Sequence, residues 1–258
     1  MILYRNTNLS IDELKDRLEN QALFDPSSST SLETKNFLNN LTGWFETQQL
    51  YNGALKEIST KLEILDEEFQ MNYTYNPIHH MECRLKSMHS IIEKMNRLHV
   101  QKTIPSMREH ITDISGIRVI CRYLHDVYII EKMLLAQDDI TFIRRRDYIQ
   151  HPKESGYRSL HLLVKVPVFL SKRKEAVPVE IQLRTIPMDY WASLEHDLQY
   201  KNTSKDKAQH HKELKACAKN LAAIEETMQS IHRDTIDLEN FSPDQLNLET
   251  FPDDIDFS

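Results

Sequence analysis

Basic, aromatic and imidazole side chains are concentrated around one predicted turn, in RRRDYIQHPKESGYRSLH, residues 144–161. This stretch is locally basic, although the whole chain has a formal charge of −7 at pH 7. Local positive charge in an acidic protein indicates an anion-binding site. Tyr157 follows Gly156 in the predicted loop, where its ring could stack on a base, although a loop tyrosine more often simply packs. The stretch therefore predicts an anion site and leaves a stacking role for Tyr157 open.

Ionisable side chains share one face in each of four predicted strands. Period-two alternation predicts strands in GIRVICRYL (116–124), TFIRRRDYI (141–149), SLHLLVKVPVFL (159–170) and VPVEIQLRT (177–185). Their polar faces carry Arg118, Arg144, Arg146, His161, Lys165, Glu180, Gln182 and Arg184. One half-buried strand on a solvated surface shows the same alternation, but four such strands favour a common site. Carboxylates among cations on an open sheet face suit metal-bound phosphate chemistry.

Two carboxylates are candidates for a magnesium site. Asp113 precedes the first of these strands, and Glu180 lies within the fourth. If the two strands are neighbours, both carboxylates could bind one Mg²⁺, which prefers oxygen ligands and often takes one or two carboxylates plus substrate phosphates. Each carboxylate alone is more simply explained as a surface charge. The hypothesis therefore depends on how the two strands pair.

A polar stripe runs along a helix predicted from Ser87 to about Leu98. Lys86, Ser90 and Lys94 recur every four residues, opposite an apolar face. Spacing alone favours a solvated lysine face, and a row that binds phosphates is the less common alternative.

The predicted elements divide the chain into four segments. The order β-α-β-β-β, with a helix at 126–137, predicts an α+β fold with a mixed β-sheet of about five strands flanked by helices. The segments are an N-terminal helical extension (1–74), a core (75–205), a C-terminal helix that would serve subunit assembly (206–233) and an acidic tail (234–258). The extension contains the linker signal DPSSSTS, followed by a helical pattern over 31–72.

Composition excludes several classes of protein. The net charge and a pI of about 5.9 oppose binding to nucleic acid or to an anionic membrane. Only four glycines occur, which excludes a glycine-rich phosphate loop. Cys83, Cys121 and Cys217 form no pairing pattern, and we expect them to be reduced core residues of a cytoplasmic protein. No segment of the sequence has the pattern of a signal peptide or a membrane span.

Four longer motifs resemble a known family. HPKESGYRSLH, VEIQLRT, MDYWASLEH and DISGIRV are similar to the synthetase domain of RelA/SpoT homologues, specifically the single-domain small alarmone synthetases, over roughly residues 75–205. VPVFLS and DYWASLEH are more similar to the RelP type than to the RelQ type. The resemblance implies a nucleotidyltransferase-like synthetase fold with helical extensions, Mg²⁺ as cofactor and a homotetramer. It also implies transfer of pyrophosphate from ATP to the 3′-oxygen of GDP or GTP, which yields ppGpp or pppGpp and AMP.

The resemblance also implies roles for individual residues. Asp113 would bind Mg²⁺, and Glu180 would bind it too or orient and deprotonate the 3′-hydroxyl. The ATP site would consist of Arg84 and Arg118, which would flank the adenine, and of Lys86, Ser90 and Lys94, which would hold the phosphates. The GDP or GTP site would consist of Arg146, Lys153, Tyr157 (stacked on guanine), His161, Gln182, Asp189 and Glu195. Asp189 occupies a position where some relatives carry Asn.

Two further expectations accompany this assignment. The larger relatives carry a hydrolase domain before the synthetase. Because fewer than about 85 residues precede Arg84, below the usual size of a second domain, we expect no hydrolase activity. The alternative function is a regulatory module that binds guanine nucleotides or single-stranded RNA, and the net negative charge disfavours RNA.

Overall fold

A computed structural model describes residues 2–5, 31–200 and 207–235. The linker signal DPSSSTS, apart from its last residue Ser31, and the acidic tail after 235 lie outside the described residues. The strands are β1 (Ile2–Arg5), β2 (Ile78–Leu85), β3 (Ser115–Cys121), β4 (Thr141–Asp147), β5 (Leu160–Phe169) and β6 (Lys174–Thr185). The helices are α1 (Ser31–Asn72), α2 (Met88–Leu98), α3 (Ile104–His110), α4 (Leu124–Leu135), α5 (Ile186–Tyr200) and α6 (Lys207–Thr235).

The described strands form one mixed sheet in the order β1-β2-β3-β6-β5-β4. The β1–β2 and β3–β6 pairs are parallel, and the other pairs are antiparallel. This confirms the predicted α+β fold with a mixed sheet flanked by helices. The sheet contains the four predicted strands and two more, β1 and β2. The strand β2 was missed because His79 and His80 mask the alternation of Met81, Cys83 and Leu85, whose side chains are buried.

The two faces of the sheet have different environments. Odd-numbered residues of β3 and β6, such as Ile117, Val119 and Ile181, are buried in one apolar core together with residues of α1 and α4. The even-numbered residues of these strands point to the opposite face, because successive side chains alternate. We call this second face the open face. It carries the polar residues that the sequence singled out.

The helix α2 begins and ends with local signals. The Ser87 hydroxyl accepts a hydrogen bond from the Ser90 backbone N–H, which caps the first turn, and His99 ends the helix with a left-handed φ of 56°. Ile91 and Met95 are buried, so the apolar face predicted for this helix packs inward. Its polar stripe is thereby turned toward the sheet end where Asp113 lies.

The C-terminal helix α6 buries only part of its apolar side chains. Ala218 is buried, while Cys217, Ile224 and Met228 are exposed. The prediction that all three cysteines are core residues is therefore wrong for Cys217. Within the described residues, no helix combines the length and apolar character that a membrane span needs.

Candidate active site

Five polar residues form a continuous row across the open face. The strand register places Glu82 opposite Arg118, Arg118 opposite Gln182, Gln182 opposite His161, and His161 opposite Arg146. Directly opposed residues project from the same face of a sheet. The row therefore joins four of the predicted site residues, from strands distant in sequence, on one surface.

Asp113 lies just before β3, at the end of the sheet where that strand begins, and two lysines contact it. Lys86 Nζ is 2.6 Å from Asp113 Oδ2, and Lys94 Nζ is 2.8 Å from Oδ1. Burial opposes ionisation of Asp113, but the hydrogen bonds and charges of both lysines outweigh it and hold the pKa of this carboxyl below its ordinary value. The lysine stripe of α2 is therefore part of a charged cluster and not a solvated face.

Glu180 lies beside this cluster, on the strand next to β3. Its register partner in the parallel β3–β6 pair is Gly116. Gln182 Nε2 donates to Glu180 Oε2 over 2.9 Å, and His161 Nδ1 is 3.7 Å from Oε1. Burial and the charge of Asp113 raise the pKa of Glu180, while His161 and Gln182 lower it, and the net result is a lowered pKa. Glu180 is therefore ionised at neutral pH.

A chain of hydrogen bonds leads from Glu180 into the loop between β4 and β5. The Tyr157 hydroxyl and His161 Nε2 are 2.8 Å apart, and Arg184 Nη2 donates to the same hydroxyl over 2.8 Å. Since the guanidinium can only donate, the hydroxyl proton is left to point at His161 Nε2. This assignment places the proton of a neutral His161 on Nδ1, which faces Glu180.

Asp189 connects the two predicted nucleotide sites. Its Oδ1 accepts a hydrogen bond from Arg184 Nη1 over 3.0 Å and lies 3.4 Å from Arg118 Nη1. Arg118 also donates to Glu82 over 3.1 Å. Burial and the charge of Arg184 lower the pKa of Arg118, against the opposite effect of Asp189 and Glu82. Asp189 thus offsets the repulsion between two guanidinium groups, one in each half of the site.

The remaining predicted residues lie around this network. Lys153 Nζ is 4.8 Å from the centre of the Tyr157 ring and 4.6 Å from that of Tyr148, so a cation covers the ring expected to stack on guanine. The Arg84 and Arg146 side chains are exposed on the open face. Ser90 lies in the first turn of α2, and its hydroxyl accepts a hydrogen bond from Ser87. Glu195 lies further along α5 than Asp189 and is partly buried.

Two residues of the network were not predicted to belong to the site. Arg184 bonds Tyr157, Asp189 and Gln182, and only 5% of it is exposed. Its position on the polar face of VPVEIQLRT was a usable signal, because Glu180 and Gln182 share that face. Glu82 carried no such signal, since β2 was not recognised as a strand.

Asp113 and Glu180 supply only part of the oxygen ligands that Mg²⁺ needs. Among the described residues, no group of three or more His, Cys, Asp or Glu side chains could hold a metal. The two carboxylates Asp113 and Glu180 are close enough to influence each other's ionisation. Mg²⁺ is often bound by one or two carboxylates with phosphates and water as the other ligands. The pair therefore fits Mg²⁺ that arrives with a phosphorylated substrate, and it does not form a complete protein cage.

Comparison with known proteins identifies the family. The model of the region found in RelA and SpoT proteins matches residues 83–205. The GTP pyrophosphokinase YwaC of Bacillus subtilis is 40% identical over 191 residues, which is 74% of this chain and 91% of YwaC. The chain belongs to the RelA/SpoT family.

Solved structures of this family share the fold. Small alarmone synthetase 1 of Bacillus subtilis, bound to its product pppGpp, superposes with a TM-score of 0.69 and 32% identity, over 74% of this chain and 97% of that chain. The same synthetase bound to AMPCPP gives a TM-score of 0.63 at 27% identity, over 74% and 97%. The predicted resemblance to small alarmone synthetases is confirmed. The RelP subtype, the segment boundaries and the roles of individual residues stay predictions.

Proposed function

We propose that this RelA/SpoT-family protein is a GTP pyrophosphokinase that makes the alarmones ppGpp and pppGpp of the stringent response. It transfers the β,γ-pyrophosphate of ATP to the ribose 3′-oxygen of GDP or GTP and releases AMP. The observation that carries this proposal is the pairing of β3 with β6, which brings Asp113 and Glu180 together between two sets of cations and donors. Lys86 and Lys94 lie on the β2 side, and His161 and Tyr157 lie on the β5 side.

The ATP half of the site would lie along α2 and the adjoining strands. Lys86 and Lys94 each contact Asp113 through one N–H of their ammonium groups. The remaining N–H groups of each lysine can donate charge-assisted hydrogen bonds to phosphate oxygens. Arg84 and Arg118 project from neighbouring strands on the same face, where their planar guanidinium groups can stack on adenine. These contacts would hold the β-phosphorus near Glu180.

The acceptor half would lie around the loop between β4 and β5. Tyr157 would stack on guanine after Lys153 moves off its ring, and Lys153 and Arg146 would then be free to pair with phosphates. Glu180, ionised at neutral pH, would accept a hydrogen bond from the 3′-hydroxyl and orient its oxygen toward the β-phosphorus. A carboxylate of lowered pKa is a weak base, so its main contribution is orientation. As the O3′–Pβ bond forms, the hydroxyl proton passes to the Glu180 carboxylate, which then releases it to water.

Positioning and charge compensation supply most of the catalysis in phosphoryl transfer. The bond between the β-phosphorus and the bridging α,β-oxygen breaks, and that oxygen leaves with AMP. Bound Mg²⁺, held by Asp113 and Glu180, would compensate charge on the phosphate oxygens. The lysine pair on Asp113 leaves further lone pairs of this carboxylate available for the metal.

The test is an activity assay with a matched control. The protein is incubated with ATP, GDP and MgCl₂, and AMP and the 3′-pyrophosphorylated product are quantified. We expect Glu180→Gln to lower the rate at least about a thousandfold, whereas Glu109→Gln, at an exposed carboxylate of α3, leaves it unchanged. An inactive wild-type protein, or a fully active Glu180→Gln variant, would refute the proposal.

We also propose that the protein forms the homotetramer that the family resemblance implied. Ile224, Met228 and Ile231 of α6 are each more than half exposed, and self-association would cover this apolar stripe. Light scattering on the Met228→Glu variant tests the assignment, because an unchanged tetramer would exclude the stripe as an interface. The cytoplasmic location and the absence of hydrolase activity stay predictions.

A further inference from the structure

The helix α6 packs directly against the loop that holds Tyr157, residues 150–159, which we call the acceptor loop. The loop turns through Gly156, whose φ is +96°, and the Gly156 N–H donates to the Lys153 carbonyl over 2.8 Å. A Cβ atom added at Gly156 would lie 2.8 Å from Ala218 Cβ and 3.4 Å from Lys215 Cα. Glycine is therefore required both by the backbone conformation and by the approach of α6.

A buried ion pair joins the same two elements. Arg158 Nη1 donates to Glu225 Oε2 over 2.7 Å, and the exposed fractions of the two side chains are 14% and 4%. Arg158 directly follows Tyr157, and Glu225 lies two helical turns beyond Ala218 on α6. Removing one partner of a buried pair leaves the other charge without compensation, so the pair strongly favours one placement of the loop.

The Tyr157 ring itself is held from the helical side. Trp191, Ala192 and Ala218 form a small buried cluster. Tyr157, Leu214 and Leu221 pack against it. Trp191 Nε1 donates to the Leu214 carbonyl over 2.9 Å and so fixes α5 against α6. The helix thus contacts the acceptor loop at Gly156, at Tyr157 and at Arg158, and the Tyr157 hydroxyl is directed to His161.

We propose that α6 forms part of the guanosine-nucleotide site, with Glu225 as a positioning residue that acts through Arg158 on the acceptor loop. The inference rests on the proposed function and extends it, because α6 would then serve the acceptor site as well as subunit assembly. The lysine cluster around Asp113 makes none of these contacts with α6, so the dependence concerns the acceptor nucleotide and not ATP. Without the ion pair, the acceptor loop is not held in one conformation before GDP binds. GDP binding then has to order the loop, which lowers the net affinity for GDP.

Steady-state kinetics of full-length variants test whether the effect concerns GDP and not ATP. We expect Glu225→Gln to raise the KM for GDP about tenfold, with the KM for ATP within about twofold of wild type. Glu226→Gln, at the adjacent exposed position of the same helix, is the matched control and keeps both constants. Ala218→Leu, which pushes on Gly156 without removing a charge, should raise the KM for GDP in the same way. Equal effects on both substrates, or no effect of either variant, would overturn the proposal.

Hydrogen exchange gives a second readout that does not require turnover. In wild-type protein and in Glu226→Gln, amides of residues 150–159 should exchange slowly, and in Glu225→Gln they should exchange at least several times faster while the sheet is unchanged. If the wild-type protein makes no alarmone, but residues 150–159 still exchange faster in Glu225→Gln than in wild type, the proposed function is refuted. The link between α6 and the loop is then retained. Identical exchange in Glu225→Gln and wild type would overturn the link, whatever the activity.

Discussion

Gly116 on β3 is the direct register partner of Glu180 on β6. This pairing brings Asp113, three residues before Gly116, to the neighbourhood of Glu180 although the two carboxylates are far apart in sequence. Gly116 is also opposite Arg84 on β2. Gly116 therefore lies between Arg84 and Glu180 and leaves a gap there, because it has no side chain. The gap lies between a predicted adenine contact and the proposed catalytic carboxylate, where a nucleotide has to fit.

Substitutions at Gly116 should separate activity from folding. A Cβ there would lie 3.7 Å from the Glu180 carbonyl and 3.8 Å from the Arg84 carbonyl, both ordinary contacts. Gly116→Ala should therefore fold and keep most of its activity, whereas Gly116→Leu should fold but fill the gap and lower kcat/KM for ATP at least about a hundredfold, the size of a lost set of phosphate contacts. Thermal unfolding and steady-state kinetics check the two variants, and equal activity of both would contradict the assignment.

Removal of one lysine from the Asp113 cluster should weaken ATP binding. Lys94→Met eliminates a charge-assisted hydrogen bond worth ~1.5–3 kcal/mol, so the KM for ATP should rise about ten- to hundredfold with little change for GDP. Lys102→Met, at an exposed lysine after α2, is the control. Titration with a non-hydrolysable ATP analogue measures the effect directly. An unchanged affinity for the ATP analogue would show that Lys94 does not bind ATP and is only a structural partner of Asp113.

Replacement of Asp189 by asparagine should reduce activity less than replacement by alanine. Both substitutions remove the negative charge between Arg118 and Arg184, but asparagine keeps an oxygen that can accept the hydrogen bond from Arg184, whereas alanine keeps no acceptor. We expect Asp189→Asn to retain activity within about threefold and Asp189→Ala to lose about tenfold or more in kcat/KM. If both substitutions have the same effect, the oxygen that accepts the hydrogen bond from Arg184 is not what Asp189 contributes to activity.

The end of α6 should loosen at acidic pH. His232 packs on the rings of Tyr123 and Tyr75, with centroid distances of 3.8 and 4.9 Å. Burial lowers its pKa below the ordinary 6.5, Asp126 opposes this and His125 adds to it. Because the unfolded imidazole then binds protons more readily than the folded one, stability is full above about pH 6.5 and falls as the pH drops through the lowered folded pKa.

Two variants isolate this effect. His232→Phe keeps a ring without a titratable nitrogen, so its Tm should fall less than that of wild type between pH 7.5 and pH 5.5, by on the order of 2 °C. His211→Asn, at an exposed position of the same helix, should follow the wild-type curve. Parallel curves for wild type and His232→Phe would exclude His232 as the source of acid sensitivity.

The sequence by itself determined the family, four of the six described strands and most of the helices. Each of these elements has a local signal, such as the two-residue period of VPVEIQLRT or the Ser87 cap, and local signals can be recognised without the rest of the chain. The motifs around Asp113, Tyr157 and Glu180 also carried enough information to predict an anionic substrate and the chemistry of pyrophosphoryl transfer.

Only the tertiary structure decided how these parts meet. The order of the strands places β3 beside β6, and the register sets Gly116 against Glu180 and Arg118 against Gln182, relationships between distant segments that no single segment encodes. The contact of α6 with the acceptor loop has the same origin. Arg158 and Glu225 look like two ordinary surface charges in the sequence, and they become a buried pair because packing of the helix removes both from water.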